Sequence, residues 1–356
     1  MLILLILIII YIVYKCNNKI IENFQWTKRE DCLYKTNKTL LDVMEKYNIT
    51  KGDLKDYDLF LPCSYNNIPL EEKYIPKEKD KKIFVLRTCN ILTNKLTLWD
   101  IVYNKYGLSE AKRIMPETYI IKELLNDNSN DYIRYIKNYK KDKPYILKKN
   151  VQRQNGLKIV SNINNFSKYQ NYVIMQDLLQ NPFLIDNRKI NLRIYLLIML
   201  KDNKLSAYVH NNGFLYYTAT EFNKDLRDET NITTGYVDRS VYEKNPLTLK
   251  DLRKYLSDNK IKHSLFDKIN ILLKKVVVSY RDIIDTNSEN KLFFQLFGSD
   301  IFVNNNLEPL LMEINKGPDL SYKDKRDKKV KIKVVTDIFT LIGLTYENSV
   351  DFLKIL

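Results

Sequence analysis

The feature that most constrains this chain is a pair of strand-like segments, "FFQLFGSDIFV" and "LEPLLMEIN", joined by the turn-like linker Asn304 to Asn306. Folded antiparallel about that linker, Val303 falls near Leu310. The same register brings Asp300 to Glu313, with Asn315 two residues further along. At a period of two, Leu311, Glu313 and Asn315 share one face, and Leu310, Met312 and Ile314 form the other, an ordinary core face. Two carboxylates side by side without a counter-charge repel and raise each other's pKa. A divalent cation relieves that repulsion, and three hard oxygen donors with open positions suit Mg²⁺.

A second strand makes the same kind of demand with the opposite sign. In "RKINLRIYLLIML", Lys189, Asn191 and Arg193 share one face, and Ile190, Leu192 and Ile194 the other. The apolar continuation on both faces marks a central strand. Two cations there need anionic company, either internal salt bridges or a bound phosphate or carboxylate. Upstream, "PYILKKNVQRQNGLKIV" reads as a strand ending at Lys148 and Lys149, a polar loop with Gln152, Arg153 and Gln154, then Gly156, Lys158 and a second strand. Such a flap lays backbone N–H groups and lysines over phosphates, or else is a solvated hairpin. In "YVIMQDLLQNP", Gln176 follows an apolar strand able to present backbone groups to an adenine edge.

At 356 residues the chain can bury two or three compact units. Strand patterns dominate after Lys143, with helical patterns in 248–285 and 328–345, and "TLWDIVYNKYG" reads as a helix closed by Gly107. The alternation predicts an α+β or α/β layered protein, here taken as α+β. Cys16, Cys32, Cys63 and Cys89 form no CxxC pair, which argues against a disulfide framework or zinc site, and two histidines are too few for a His-rich centre. A net charge of +15 predicts an acidic partner. No Arg-rich arm, zinc finger or recognition helix points to nucleic acid. The opening "MLILLILIIIYIVY" is continuously apolar. As a helix it covers roughly 21 Å, and Lys15 and Lys19 can snorkel. The expectation is a membrane anchor over residues 1–22 with the body on the cytoplasmic side, since the positive residues follow the run.

The order lysine, loop, glutamine, "PFLIDNRKINLRIYLLI", "FGSDIFV" and "LLMEINKGPDL" resembles the tubulin–tyrosine ligase-like family of ATP-grasp enzymes, over roughly residues 80–345. The resemblance implies an ATP-grasp fold; together with the apolar run over 1–22, the expected division is that anchor, a smaller α/β domain over 23–143 and the catalytic region over 144–356. It implies a ligase in which ATP activates a carboxylate and the amine of a free amino acid attacks it, on a polypeptide acceptor; the basic surface favours an acidic one with a tubulin-like tail. Lys148 and Lys158 would contact the ATP phosphates, Gln176 and Leu179 would border the adenine, and Asn191 would lie beside the nucleotide. Lys189 and Arg193 would face the γ-phosphate and reacting carboxylate, and Asp300, Glu313 and Asn315 would hold Mg²⁺. The chain departs from the family pattern at Asn191 (for Asp), Tyr216 (for Arg), Asn231 (for His) and Thr234 (for Asn). These departures keep two alternatives open, an inactive nucleotide-binding protein and a small-molecule ligase.

Overall fold

The strand Arg188–Lys201 organises the molecule. Its first half is paired on one side with Phe214–Thr218 and its second half with Lys204–His210, while Leu292–Val303 runs along the other side from Asn191↔Phe302 to Leu200↔Phe293. Its apolar run after Arg193 is unbroken because both of its faces are packed into the main core: Ile194, Leu196, Leu197 and Ile198 are all buried. The computed structural model describes residues 23–75, 78–151, 156–161, 163 and 165–356. Within these the fold is mixed α/β, with a 12-stranded and a 4-stranded sheet.

The large sheet continues from Leu292–Val303 through the parallel short strands Lys82–Ile83, Leu59–Phe60 and Gln25–Thr27. The small sheet joins Thr118–Ile120, Ile174–Asp177, Tyr145–Lys148 and Leu157–Val160. It packs on its own aromatic core, where Tyr119, Tyr135 and Tyr145 meet at ring-centroid separations of 5.8 to 6.5 Å. The edge-on geometry of the Tyr119 pairs suits the ring quadrupoles.

Helices form where apolar residues recur at helical spacing and a cap is present. Asn130–Asn138 starts on the Ser129 side chain, and Leu249–Asp258 starts with a capping box between Thr248 and Asp251. Leu265–Arg281 and Lys325–Leu341 bury their apolar stripes against the large sheet. Gly107 behaves differently from the expectation. It breaks the helical geometry at φ 71°, but a second helical segment starts at once, and the whole element runs from Lys95 to Ile114.

Two expectations are corrected here. Cys32 and Cys63, 31 positions apart, form a disulfide that ties together two loops, while Cys89 is free and buried. Sequence spacing carries no signal for a cross-link made by tertiary proximity. The membrane-held localisation is also overturned: among the described residues no helix is long and apolar enough to cross a membrane. The 20-residue helix Lys95–Ile114 has the length but carries Lys95, Asp100, Lys105, Glu110, Lys112 and Arg113. The proposed anchor over 1–22 lies outside the described residues.

Candidate active site

The hairpin Leu292–Val303/Pro309–Lys316 begins one residue away from the expected register, with Val303 opposite Pro309. Asn304 closes a longer loop than the three asparagines suggested, because its side-chain Oδ1 accepts from the backbone N–H groups of Asn306 and Glu308. A β-bulge then falls between Asp300 and Ile301 on one strand, with Met312 as the extra residue on the other, and Asp300 meets Glu313. The bulge also redistributes the faces. Leu311 and Ile314 enter the core, whereas Met312, Glu313 and Asn315 line a cavity. The strict alternation expected from the sequence therefore fails at Met312.

Asp300 sits between Arg193 on one neighbouring strand and Glu313 on the other, so a cation and two carboxylates form one row across the sheet. Arg193 donates from Nε to Asp300 Oδ1 at 2.6 Å and from Nη2 to Oδ2 at 3.1 Å. Asn315 Nδ2 donates to Asp300 Oδ2 at 3.2 Å and to Glu313 Oε1 at 3.1 Å. The next row holds Gly298, and a Cβ there would lie 3.0 Å from both Cδ and Nη1 of Arg193. That glycine makes room for the guanidinium to reach its carboxylate.

This row forms part of the wall of a cavity of about 820 Å³ between the two sheets. Lys189, Asn191 and Arg193 all line it, as their common face requires, and so do Lys148 and Leu179. Lys148 donates to the Met312 carbonyl, freed by the bulge, at 3.4 Å. Lys189 is 4% exposed and stands over the Phe302 ring at 5.3 Å. Burial, aided by the charge of Lys95, brings the Lys148 pKa down to about 8 against the pull of Glu313. Burial and the Lys148 charge bring Lys189 to about 8 as well. Burial also raises Asp300 to about 6, with Glu313 pushing the same way and Arg193 opposing. Glu313 stays below the ordinary carboxylate range because Lys95 and Lys148 outweigh its burial.

The sequence profile of the tubulin-tyrosine ligase family matches residues 73–350, a span that includes every residue of this cavity row. The chain belongs to the tubulin-tyrosine ligase family. Relatives include tubulin polyglutamylase TTLL5 of Mus musculus, 25% identical over 266 residues, covering 67% of this chain and 19% of the relative. Probable tubulin polyglutamylase TTLL9 of Rattus norvegicus is 28% identical over 185 residues, 49% of this chain and 39% of its own length. Probable alpha-tubulin polyglutamylase Ttll1 of Tetrahymena thermophila is 26% identical over 189 residues, 50% and 45% respectively. In each case the match spans less than half of the relative.

In this tubulin-tyrosine ligase family member two of the residues singled out from sequence lie away from the cavity. Lys158 is exposed on the outer strand of the small sheet, over the Tyr169 ring at 5.5 Å. Gln176 is fully buried and donates to Thr118 Oγ1 at 2.8 Å, while the cavity wall is made by its successors Asp177 and Leu178. The loop residues Gln152, Arg153 and Gln154 lie outside the described residues. Sequence reasoning missed Lys95, which is 8% exposed, ion-paired to Glu313 Oε2 at 3.5 Å and bonded to the Val151 carbonyl at 3.0 Å. A signal for it was available. Lys95 is the first residue of its helix, where the dipole disfavours a cation and a nearby anion must compensate.

Proposed function

We propose that this chain is an ATP-grasp ligase that joins the amine of an amino acid to a carboxylate of a polypeptide, using Mg·ATP. The observation that carries the reading is one cavity holding the row Arg193–Asp300–Glu313 together with two buried lysines, Lys148 and Lys189, that have no ion-pair partner among the described residues. Buried unpaired ammonium groups are costly, so they call for an anion, and the pair placed beside a carboxylate cluster suits a nucleotide polyphosphate.

The donor set fits Mg²⁺. Asp300 and Glu313 are opposed carboxylates joined by the Asn315 Nδ2 amide, and the Asp300 pKa, raised first by burial and then by Glu313, is one that a hard cation beside it would bring down. When bound, Mg·ATP supplies the phosphoryl group that converts the acceptor carboxylate into an acyl phosphate. The chain's own residues then position and neutralise. Lys148 and Lys189 hold phosphate oxygens, Leu179 and Asn191 border the nucleotide, and Arg193, locked by Asp300, presents its remaining N–H groups to the reacting carboxylate. The amine attacks the acyl carbon, the acyl C–O bond to phosphate breaks, and the proton shed by the new C–N bond leaves with the departing phosphate. The names of the relatives and the net charge of +15 support a tubulin-like acidic tail as acceptor and glutamate as the first amino acid to test.

The test is incubation with Mg·ATP, each labelled amino acid in turn, and tubulin or whole lysate, with Glu313→Gln in parallel. Label entering a protein band with the wild type and not with the variant is the expected result. Mg·ATP binding without transfer to any protein would replace this reading with an inactive binding protein or a small-molecule ligase.

A further inference from the structure

A second cavity, of about 230 Å³, opens on the far side of the strand Arg188–Lys201. Arg193 lines the main cavity and its neighbour Ile194 lines this one, so the two lie on opposite faces of the same strand. They share no lining residue. Strand Lys204–His210, helices Leu249–Asp258 and Leu265–Arg281, and strand Phe352–Lys354 supply the rest of the wall. Much of that wall is apolar, and Ile194, Val209, Leu249 and Ile269 are all buried.

One cation faces this apolar space. The half-buried Arg253 guanidinium stands 3.7 Å over the Phe266 ring and donates from Nη1 to the Asn211 carbonyl at 2.6 Å. Its other N–H groups have no acceptor among the described residues. Among the described arginines, Arg188 and Arg253 alone lack an ion-pair partner, and Arg188 is held instead by the Thr218 and Ala219 carbonyls. Burial lowers the Arg253 pKa with no anion to oppose it, whereas at Arg193 the same burial is outweighed by Asp300. The other polar groups in the wall do not fill the gap. His210 spends Nε2 on Asp337 at 3.2 Å and Nδ1 on the Asn212 N–H at 3.0 Å. Asp267 is exposed and forms no ion pair with Arg253.

Size, charge and wall chemistry narrow what fits. A space of about 230 Å³ is below the roughly 300–1,000 Å³ of sites for drug-sized molecules, so the ligand is small. A lone guanidinium matches a monoanion, and its fork of N–H groups suits the paired oxygens of a carboxylate. A phosphate dianion would call for a second cation, and Asp267 in the wall would repel it. The buried aliphatic side chains ask for an apolar body on the same molecule. We propose that this cavity is a binding site for a small monocarboxylate with an apolar body, its carboxylate held by Arg253 and its body against Ile194, Val209 and Leu249. The site stands apart from the ligase reading and does not depend on it.

The experiment titrates the full chain, by ligand-observed NMR, with benzoate, phenylacetate and isovalerate, each beside its own amide. Inorganic phosphate serves as the anion without an apolar body. At least one acid should bind the wild type with a dissociation constant of roughly 1 mM or tighter, and its amide should bind roughly tenfold or more weakly. Arg253→Met keeps an apolar stem over Phe266 and removes the charge, so it should weaken that acid roughly tenfold or more. Should Arg253→Met fail to fold, Arg253→Gln, which keeps a donor for the Asn211 carbonyl, takes its place. No binding by any of the acids overturns the proposal, as does an amide that binds as well as its acid. Phosphate bound as tightly as the best acid also overturns it, because the apolar wall would then contribute nothing. So does acid binding that survives loss of the Arg253 charge, which would place the carboxylate elsewhere, at the lysines of the main cavity for instance.

Discussion

Raising the pH from 7.5 to 9.5 should release the nucleotide, and the size of the effect follows from the two buried lysines. Lys148 and Lys189 both have pKa values of about 8, brought down by burial and by neighbouring lysine charge. Phosphate binding requires the charged ammonium, so affinity is highest below pH 8 and falls as each group loses its proton. A group with a pKa near 8 is about three-quarters protonated at pH 7.5 and roughly 3% protonated at 9.5, a loss of about 20-fold in affinity for one lysine and several hundredfold for both. A lysine at the ordinary value of about 10.4 would change affinity less than twofold over the same range. Asp300, at about 6, remains ionised throughout and does not contribute. The assay is equilibrium titration of Mg·ATP at half-unit pH steps, repeated with Lys148→Met, which should remove one lysine's share of the slope. A profile flat to within twofold up to pH 9.5 would refute the claim that these lysines are both desolvated and in contact with phosphate.

Other outcomes follow from single positions. Lys148→Ala should raise the dissociation constant for Mg·ATP roughly 20-fold or more, while Lys149→Ala and Lys158→Ala, whose side chains lie over the Tyr172 and Tyr169 rings, should stay within about twofold; equal effects would move the phosphate site away from Lys148. Gly298→Ala places a Cβ 3.0 Å from the Arg193 side chain and 3.1 Å from Pro318, and should cost about 1–3 kcal/mol in urea unfolding while weakening the Arg193–Asp300 pair; a wild-type midpoint would show that the guanidinium can shift freely. Reducing the Cys32–Cys63 bond, which spans 31 positions, should lower stability by about 3–4 kcal/mol on the chain-entropy account. Coincident unfolding curves with and without reductant would count against that account.

Much of the site was legible because it is written in strand periodicity. Lys189, Asn191 and Arg193 alternate with Ile190, Leu192 and Ile194, and the pleat alone sends the two sets to opposite faces. The pairing of Asp300 with Glu313 was also readable, though the route to it was not. The expected register started from Val303 near Leu310, whereas the chain starts at Pro309 and recovers the offset through the bulge. A bulge depends on what both neighbouring strands require, so a local pattern does not announce it.

By itself, then, the sequence determined the strands, their apolar faces, the order of the motifs and the charges that need a partner, because each follows from neighbours a few residues apart. Apart from the Asp300–Glu313 pair, which of those charges meet was decided in the tertiary structure. It brought Lys95 from a helix start to Glu313, Lys331 from a distant helix into the same cavity, and Cys32 to Cys63, while leaving Lys158 and Gln176 aside. The physical reason is range. Backbone geometry and hydrophobic alternation act along the chain, but burial, desolvation and ion pairing depend on residues that approach through space from anywhere in it.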